Sequence, residues 1–285
     1  MTHTSADQLH RFSFDETVIR GEVAHLDSTY QEILSRHQYP TVVAQPLGEL
    51  MAATALMSAS LKFKGRLTLQ IRMTGGISLL QAETDEQGQL RAIARYEKEQ
   101  APDSLLLTDG QLVITLEPDQ GQRYQGIVAI TAGHIAAALE AYFEQSEQLP
   151  SRFWLACDGH SAAGLMLQRM PETTTEKHNP EDWNRISHLA STVKNAELLS
   201  LSTETLLHRL YHEEILRLYP ASALRFYCTC SKKRLGNALK QLGRDELNDM
   251  LSETPKIVIT CEFCQQHYTF DQHDMDVLFQ EDRLH

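Results

Sequence analysis

The sequence predicts an α+β protein in three parts. These are a large N-terminal domain of antiparallel sheet and helices over residues 1–174, a helical linker over 175–227, and a small C-terminal module over 228–285. Three observations carry this. Between Leu67 and Ile130 apolar residues alternate with polar ones in short runs separated by turn residues, the period of strands with one covered face. Between Trp183 and Leu218 they recur every three or four positions, the period of amphipathic helices. Four of the five cysteines fall in 37 consecutive positions, 228–264, as two close pairs. Strands grouped apart from helices are the pattern of an α+β domain.

A chain of 285 residues, 42% of them hydrophobic, can bury roughly 70–75% of its unfolded surface. Residues 1–8 offer neither a basic segment nor an apolar run, so no secretory signal is expected. No stretch approaches the ~18 apolar residues of a membrane-spanning helix. The expected location is therefore cytoplasmic, where closely paired cysteines bind metal more readily than they form structural disulfides. A net charge of −12 disfavours nucleic acid as a general partner, since phosphate binding needs basic surface.

The elements follow in order. Residues 17–23 form a strand, with Asp27 or Ser28 capping a helix that carries Tyr30, Ile33 and Leu34. Pro46 suits the first turn of a longer helix reaching about Leu61, with Leu50, Thr54, Met57 and Leu61 on one stripe. Alternating runs at 67–73, 77–82, 90–96, 112–116 and 125–130, with turns at Gly75-Gly76 and 85–88, describe an antiparallel meander. A helix over 132–145 turns Ile135, Leu139, Tyr142 and Phe143 to one side, and 153–157 and 165–170 are closing strands. Residues 172–179 contain no hydrophobic side chain, marking a boundary. Beyond it one helix carries Trp183, Ile186, Leu189, Ala190 and Val193; a second carries Leu207, Leu210, Tyr211, Ile215 and Leu218 and ends at Pro220. The C-terminal module has short helices around 235–242 and 247–251, a strand at 256–261, a turn at 261–264 and a return strand at 267–270. Asp271 then caps a last helix with Met275, Leu278 and Phe279.

Cys228-Thr229-Cys230 and Cys261-Glu262-Phe263-Cys264 enclose a foldable insert of 30 residues, 231–260. Each pair supplies two corners of a tetrahedron from one turn, and four thiolates favour Zn²⁺, one ion per chain, held by Cys228, Cys230, Cys261 and Cys264. Lys232, Lys233 and Arg234 follow the first pair and would stabilise thiolates, or simply open a solvated helix. The one-residue spacing of the first pair also allows a strained, reversible disulfide once metal is lost. The metal is expected to supply most of the folding free energy of a core this small. Other candidates are weaker. His208 and His212 lie four apart, but Arg209 stands where a metalloprotease helix needs Glu. Asp158-Gly159-His160-Ser161 lacks the spacing of a nucleophile elbow. Cys157 reads as a buried small hydrophobe, and His267 and His273 are not needed beside four thiolates. No catalytic constellation and no phosphate-binding glycine loop appear, so neither an enzyme nor an ATP-driven machine is expected.

At these cysteine pairs the sequence resembles the bacterial redox-regulated holdases, the 33 kDa heat-shock chaperonins. The likeness extends to Tyr124-Gln125-Gly126-Ile127-Val128, Gln145-Ser146-Glu147-Gln148-Leu149-Pro150, Gly164-Leu165-Met166-Leu167-Gln168 and Arg209-Leu210-Tyr211-His212-Glu213-Glu214. It departs at Arg72-Met73-Thr74-Gly75-Gly76, often a more acidic turn in the family, and in the extra Cys157. The resemblance implies an ATP-independent chaperone, inactive when reduced and zinc-bound. Oxidation would join Cys228 with Cys230 and Cys261 with Cys264, expel the metal and free the linker. The chaperone would then hold unfolded clients during oxidative or heat stress, act as a homodimer when active, and pass clients to ATP-dependent foldases.

Two other classes fit less well. A zinc-ribbon adaptor for nucleic acid or ribosomes would want a basic module, but residues 228–285 hold seven Lys/Arg against ten Asp/Glu. A thiol–disulfide oxidoreductase would want its cysteine at a helix start in a βαβ unit.

Overall fold

The computed structural model of the chain describes residues 7–59, 64–74, 76–98, 107, 110–130, 133–171, 179 and 181–280. The chain divides into two compact units, Met1–Tyr227 and Cys228–His285.

The first unit is built on two sheets. In one, β1 (Gln8–Phe14) and β2 (Ile19–Leu26) form a hairpin; β2 pairs with β9 (Ala162–Arg169), which pairs with β8 (Ser151–Cys157). Two short strands, β10 (Leu216–Leu218) and β11 (Ser222–Ala223), pair with the outer edge of β1. The other sheet contains β3 (Gly65–Met73), β4 (Ile77–Asp85), β5 (Gln89–Tyr96), β6 (Gly110–Pro118) and β7 (Tyr124–Ile130), with β12 (Arg225–Phe226) parallel to β5. Its order is β12-β5-β4-β3-β6-β7. The five alternating runs are therefore all strands, but not a simple meander: β6 returns beside β3, in register from Gly65↔Pro118 to Met73↔Gly110. The connection after β5 is long enough to cross the sheet, whereas a tight turn would have placed β6 beside β5.

Helix α1 (Ser28–His37) leads into α2 (Thr41–Ser58), which packs on strands of both sheets. Helix α2 begins before the expected Pro46: Pro40 is its N-cap and Pro46 lies inside it. Either proline suits a helix start, and the upstream one takes the role. Its apolar residues do not form a stripe. Every residue from Leu50 to Met57 is buried, as expected of a helix enclosed by sheets. Leu61 and Gly75 fall outside the described residues, as do Ala132 and 172–178. Helix α3 (Ile135–Tyr142) ends earlier than expected and continues as a π turn, Phe143–Glu147, where the Tyr142 hydroxyl donates to Glu147 Oε1 at 2.7 Å. Asp27 is the N-cap of α1, as expected, but its side chain makes no capping hydrogen bond. The buried Asp7 carboxylate instead accepts from the backbone N–H groups of Asp27 (2.7 Å), Ser28 (3.1 Å) and Thr29 (2.5 Å) and from the Ser28 hydroxyl (3.0 Å).

The face of the first sheet turned away from α2 is covered by α4 (Glu181–Ala190), α5 (Asn195–Ser200) and α6 (Thr203–Tyr211). Ile186, Ala190, Leu198, Leu206, Leu207, Leu210 and Tyr211 form a second core with Phe12, Phe14, Ile19, Val23, Leu165 and Leu167. The helix expected to run through Leu218 stops at Tyr211; Ile215 is exposed and Leu218 lies in β10. Residues 215–219 fit a strand as well as a helix, and the unpaired edge of β1 decides between them: Phe12, Ser13 and Phe14 pair with Leu218, Arg217 and Leu216.

In the second unit α7 (Lys232–Leu239), a 3-10 turn (Lys240–Leu242) and α8 (Arg244–Glu253) precede the hairpin β13 (Ile257–Thr260) and β14 (His267–Phe270) and the final α9 (Gln272–Gln280). The core is small: Leu239, Leu247, Ile257, Phe270 and Met275 are its buried side chains. Asp271 caps α9 as expected. Its carboxylate accepts from Asp274 N at 3.0 Å, and that of Asp274 accepts from Asp271 N at 3.1 Å.

Candidate metal centre

Two turns bring the four thiols together. Cys228 and Cys230 lie just before α7, whose N-cap Ser231 accepts from Arg234 N at 3.2 Å. The Arg234 guanidinium reaches back to Thr229, donating to its carbonyl (3.2 Å) and hydroxyl (2.7 Å), and so pins the turn between the two cysteines. Cys261 and Cys264 sit in the turn of the β13–β14 hairpin. Cys261 N donates to Gln266 O (2.9 Å) and Gln265 N to Cys261 O (2.8 Å), with Gln265 in the left-handed region at φ 58°. The second pair is buried, the first half-buried.

All four sulfurs lie within 4.8 Å of one another, with Cys228 Sγ 3.7 Å from Cys261 Sγ and Cys230 Sγ 3.3 Å from Cys264 Sγ. No disulfide joins them. A tetrahedron with metal–sulfur bonds of about 2.3 Å has edges of about 3.8 Å, so the donors fit one cation of that size. Electrostatics supports the same conclusion. Burial, with the other sulfurs close by, pushes the Cys228 and Cys264 thiols up. At Cys230 burial also acts upward, but hydrogen bonds from Tyr268 and the neighbouring thiols outweigh it and hold the group below its usual value. Four thiols this close resist ionising together unless a cation neutralises them. Among the described residues this is the one cluster of His, Cys, Asp or Glu close enough to hold a metal ion.

The basic trio opens α7 as an exposed helix start, the second of the two readings the sequence offered. Lys232 is paired with Asp274 at 2.7 Å, and Arg234 holds the Thr229 turn. The residue that sequence reasoning missed is Tyr268, whose hydroxyl lies 3.1 Å from Cys230 Sγ. The signal was available: in β14 the inward positions alternate, placing Tyr268 on the same side as Phe270 and facing the cluster.

The remaining sequence candidates do not converge. His208 and His212 have ring centroids 6.2 Å apart, with His212 beyond the end of α6. Asp158 Oδ1 accepts from His160 N and Ser161 N, both at 2.8 Å, closing an ordinary turn. Burial pushes the Cys157 thiol up, beside Tyr30 and α2. His267 bonds Thr260 at 2.7 Å and, like His273, is exposed.

A chain of this fold with a four-thiol cluster in its C-terminal unit can be set beside known proteins. The family model described as Hsp33 protein matches residues 7–271. The 33 kDa chaperonin of Shewanella baltica is 45% identical over 277 residues, covering 96% of each chain. That of Methylobacillus flagellatus is 44% identical over 278 residues, 96% of this chain and 94% of its own. The crystal structure of the 33 kDa chaperonin of Thermotoga maritima superposes with a TM-score of 0.80 at 20% identity over 98% of this chain and all of its own, a likeness of fold. These relatives place the chain among the chaperones. It belongs to the Hsp33 family, as the cysteine pairs suggested, and binding of unfolded client proteins comes with that membership. No described helix is long and apolar enough to cross a membrane.

Proposed function

We propose that this chain is a redox-regulated holdase that keeps unfolded proteins from aggregating, without ATP and without catalytic turnover. Cys228, Cys230, Cys261 and Cys264 hold one zinc ion in the reduced, inactive state. The observation that supports this is the placement of four thiols from two separate turns within 4.8 Å. Bound zinc supplies the positive charge that lets the four sulfurs stay ionised side by side. The chain supplies the rest: Arg234 fixes one turn, the β13–β14 hairpin the other.

Peroxide then acts on the thiolates. In each pair, one sulfur attacks a peroxide oxygen to give a sulfenic acid and, after protonation, water; the second sulfur displaces a further water and closes the disulfide. Cys228 joins Cys230 and Cys261 joins Cys264, so two peroxides and four protons leave two disulfides, four waters and no thiolate donors. The C-terminal unit loses its main source of stability and unfolds. The linker, which ends at Tyr227 where that unit begins, is released with it. The apolar faces of α4–α6 and the sheet beneath them become client-binding surface. Domain roles accord with this: residues 1–174 bind clients and dimerise, 175–227 are the releasable linker, and 228–285 are the switch. Action in the cytoplasm, homodimerisation and hand-over to ATP-dependent foldases complete the reading.

The test is aggregation of a heat-unfolded client, followed by light scattering, with reduced and with peroxide-treated protein while zinc release is monitored. Suppression by the oxidised form alone, with about one zinc released per chain, is the expected result. Equal suppression by both forms refutes the switch. Retention on nucleic acid that weakens steeply with salt would favour a zinc-ribbon adaptor instead.

A further inference from the structure

We infer that Tyr268 sets how readily the cysteine cluster yields to oxidant, by donating an O–H···S hydrogen bond to Cys230. This rests on the reading that the four thiolates hold zinc and are what peroxide attacks. The distance is 3.1 Å from Tyr268 Oη to Cys230 Sγ, well inside the range for a hydrogen bond to sulfur. A metal-bound thiolate carries no proton, so the hydroxyl must be the donor. The ring is held from two sides. Tyr268 pairs with Ile259 across the β13–β14 ladder, and its partly buried ring packs against the core of Leu239, Leu247, Ile257, Phe270 and Met275. Both sulfur and hydroxyl are thus placed by the backbone: β14 fixes one, and the Arg234 clamp on Thr229 fixes the other.

The chemical consequence follows from what peroxide needs. The thiolate reacts by pushing a lone pair onto a peroxide oxygen, and its reactivity tracks the negative charge it carries. A donor pointing at the sulfur occupies one lone pair and draws charge away, making Cys230 a poorer nucleophile. It also orients the sulfur, the usual effect of groups that bond to metal ligands. Tyr268 is therefore a positioning residue that raises the oxidant threshold of the switch.

The experiment compares full-length, reduced, zinc-loaded wild type with Tyr268→Phe, which keeps the ring and removes only the hydroxyl. Zinc release under hydrogen peroxide is followed with a chromogenic chelator. The same two proteins loaded with Co²⁺ report the thiolate-to-cobalt charge-transfer band. We expect release about ten-fold faster in the variant, equivalent to about 1.4 kcal/mol of lost stabilisation, and a charge-transfer band shifted to lower energy because the sulfur is more electron-rich. Identical rates and superimposable bands overturn the inference and leave the proposed function standing. Faster release with an unmoved band and a lowered urea midpoint also overturns it, assigning Tyr268 a packing role. If wild type releases no zinc to peroxide, the proposed function fails and this inference fails with it.

Discussion

Asp7 shows how far a single side chain can act from its place in the sequence. Its carboxylate accepts three backbone N–H groups and one hydroxyl at the start of α1, twenty residues downstream, while almost wholly buried. Hydrogen bonds to a charged acceptor contribute more than neutral ones, and removing one partner strands buried donors. Asp7→Ala should lower global stability by about 2–3 kcal/mol, read as a lower urea midpoint at neutral pH. Asp7→Asn, which keeps one acceptor oxygen, should lose less. Equal midpoints for wild type and alanine variant would show the cap to be incidental. No sequence pattern announces such a cap, because pattern rules look within a turn of the helix start. The four-cysteine cluster was legible for the opposite reason: a site able to hold a metal fixes residue type and short spacing together. Tyr268 lay between these cases. Its strand was predicted, but its approach to Cys230 depends on the register of β14 against β13.

At the scale of elements, the helices α4–α6 matter most, and they rest on a sheet face with two imidazoles beneath them. His25 Nε2 lies 3.0 Å from Leu198 O in α5, and His10 Nδ1 lies 3.1 Å from the Thr203 hydroxyl at the start of α6. Burial lowers both from the usual 6.5, although Glu204 acts to raise both and Asp27 to raise His25. A folded value below the unfolded one means that the unfolded or undocked state binds more protons. The contribution of these residues to docking is therefore complete above about 6.5 and is lost as pH falls through and below it. Glu22 acts in the opposite sense, since burial raises it to about 7 and its cost grows as pH rises. Strand alternation, however, turns it to the α2 side with Ala24 and Leu26, away from the linker. Hydrogen exchange at pH 7.5 and 5.5 should thus show protection in α4–α6 falling on acidification, with the fall reduced in a His10→Gln, His25→Gln double variant. Unchanged linker protection at both values would contradict this. The helical period of the linker was readable in part: the first helix stops at Ala190, short of Val193, and the short α5 between the two expected helices gave no separate signal. Beyond Tyr211 the sequence was ambiguous, and the open edge of β1 settled the matter in favour of β10. The same kind of tertiary choice placed β6 beside β3.

The whole molecule is unevenly supported. The first unit has two extensive cores, one around α2 and one under the linker helices. The second has five buried core side chains, which at about 2 kcal/mol each contribute about 10 kcal/mol. A structural zinc site contributes about 10–16 kcal/mol on its own, so a bound ion would be the main source of stability for a core this small. On the proposed function, such a unit folds with its ion and opens without it, and the ion's retention depends on the redox state of the four cysteines. The most direct measurement is amide hydrogen exchange across the chain before and after zinc is stripped from the reduced protein by a strong chelator. Loss of protection throughout 228–280, followed by loss in α4–α6 while β1–β9 stay protected, is the predicted outcome. A reduced, metal-free C-terminal unit that keeps its protection would contradict the account, because the cluster would then hold a metal without holding the fold.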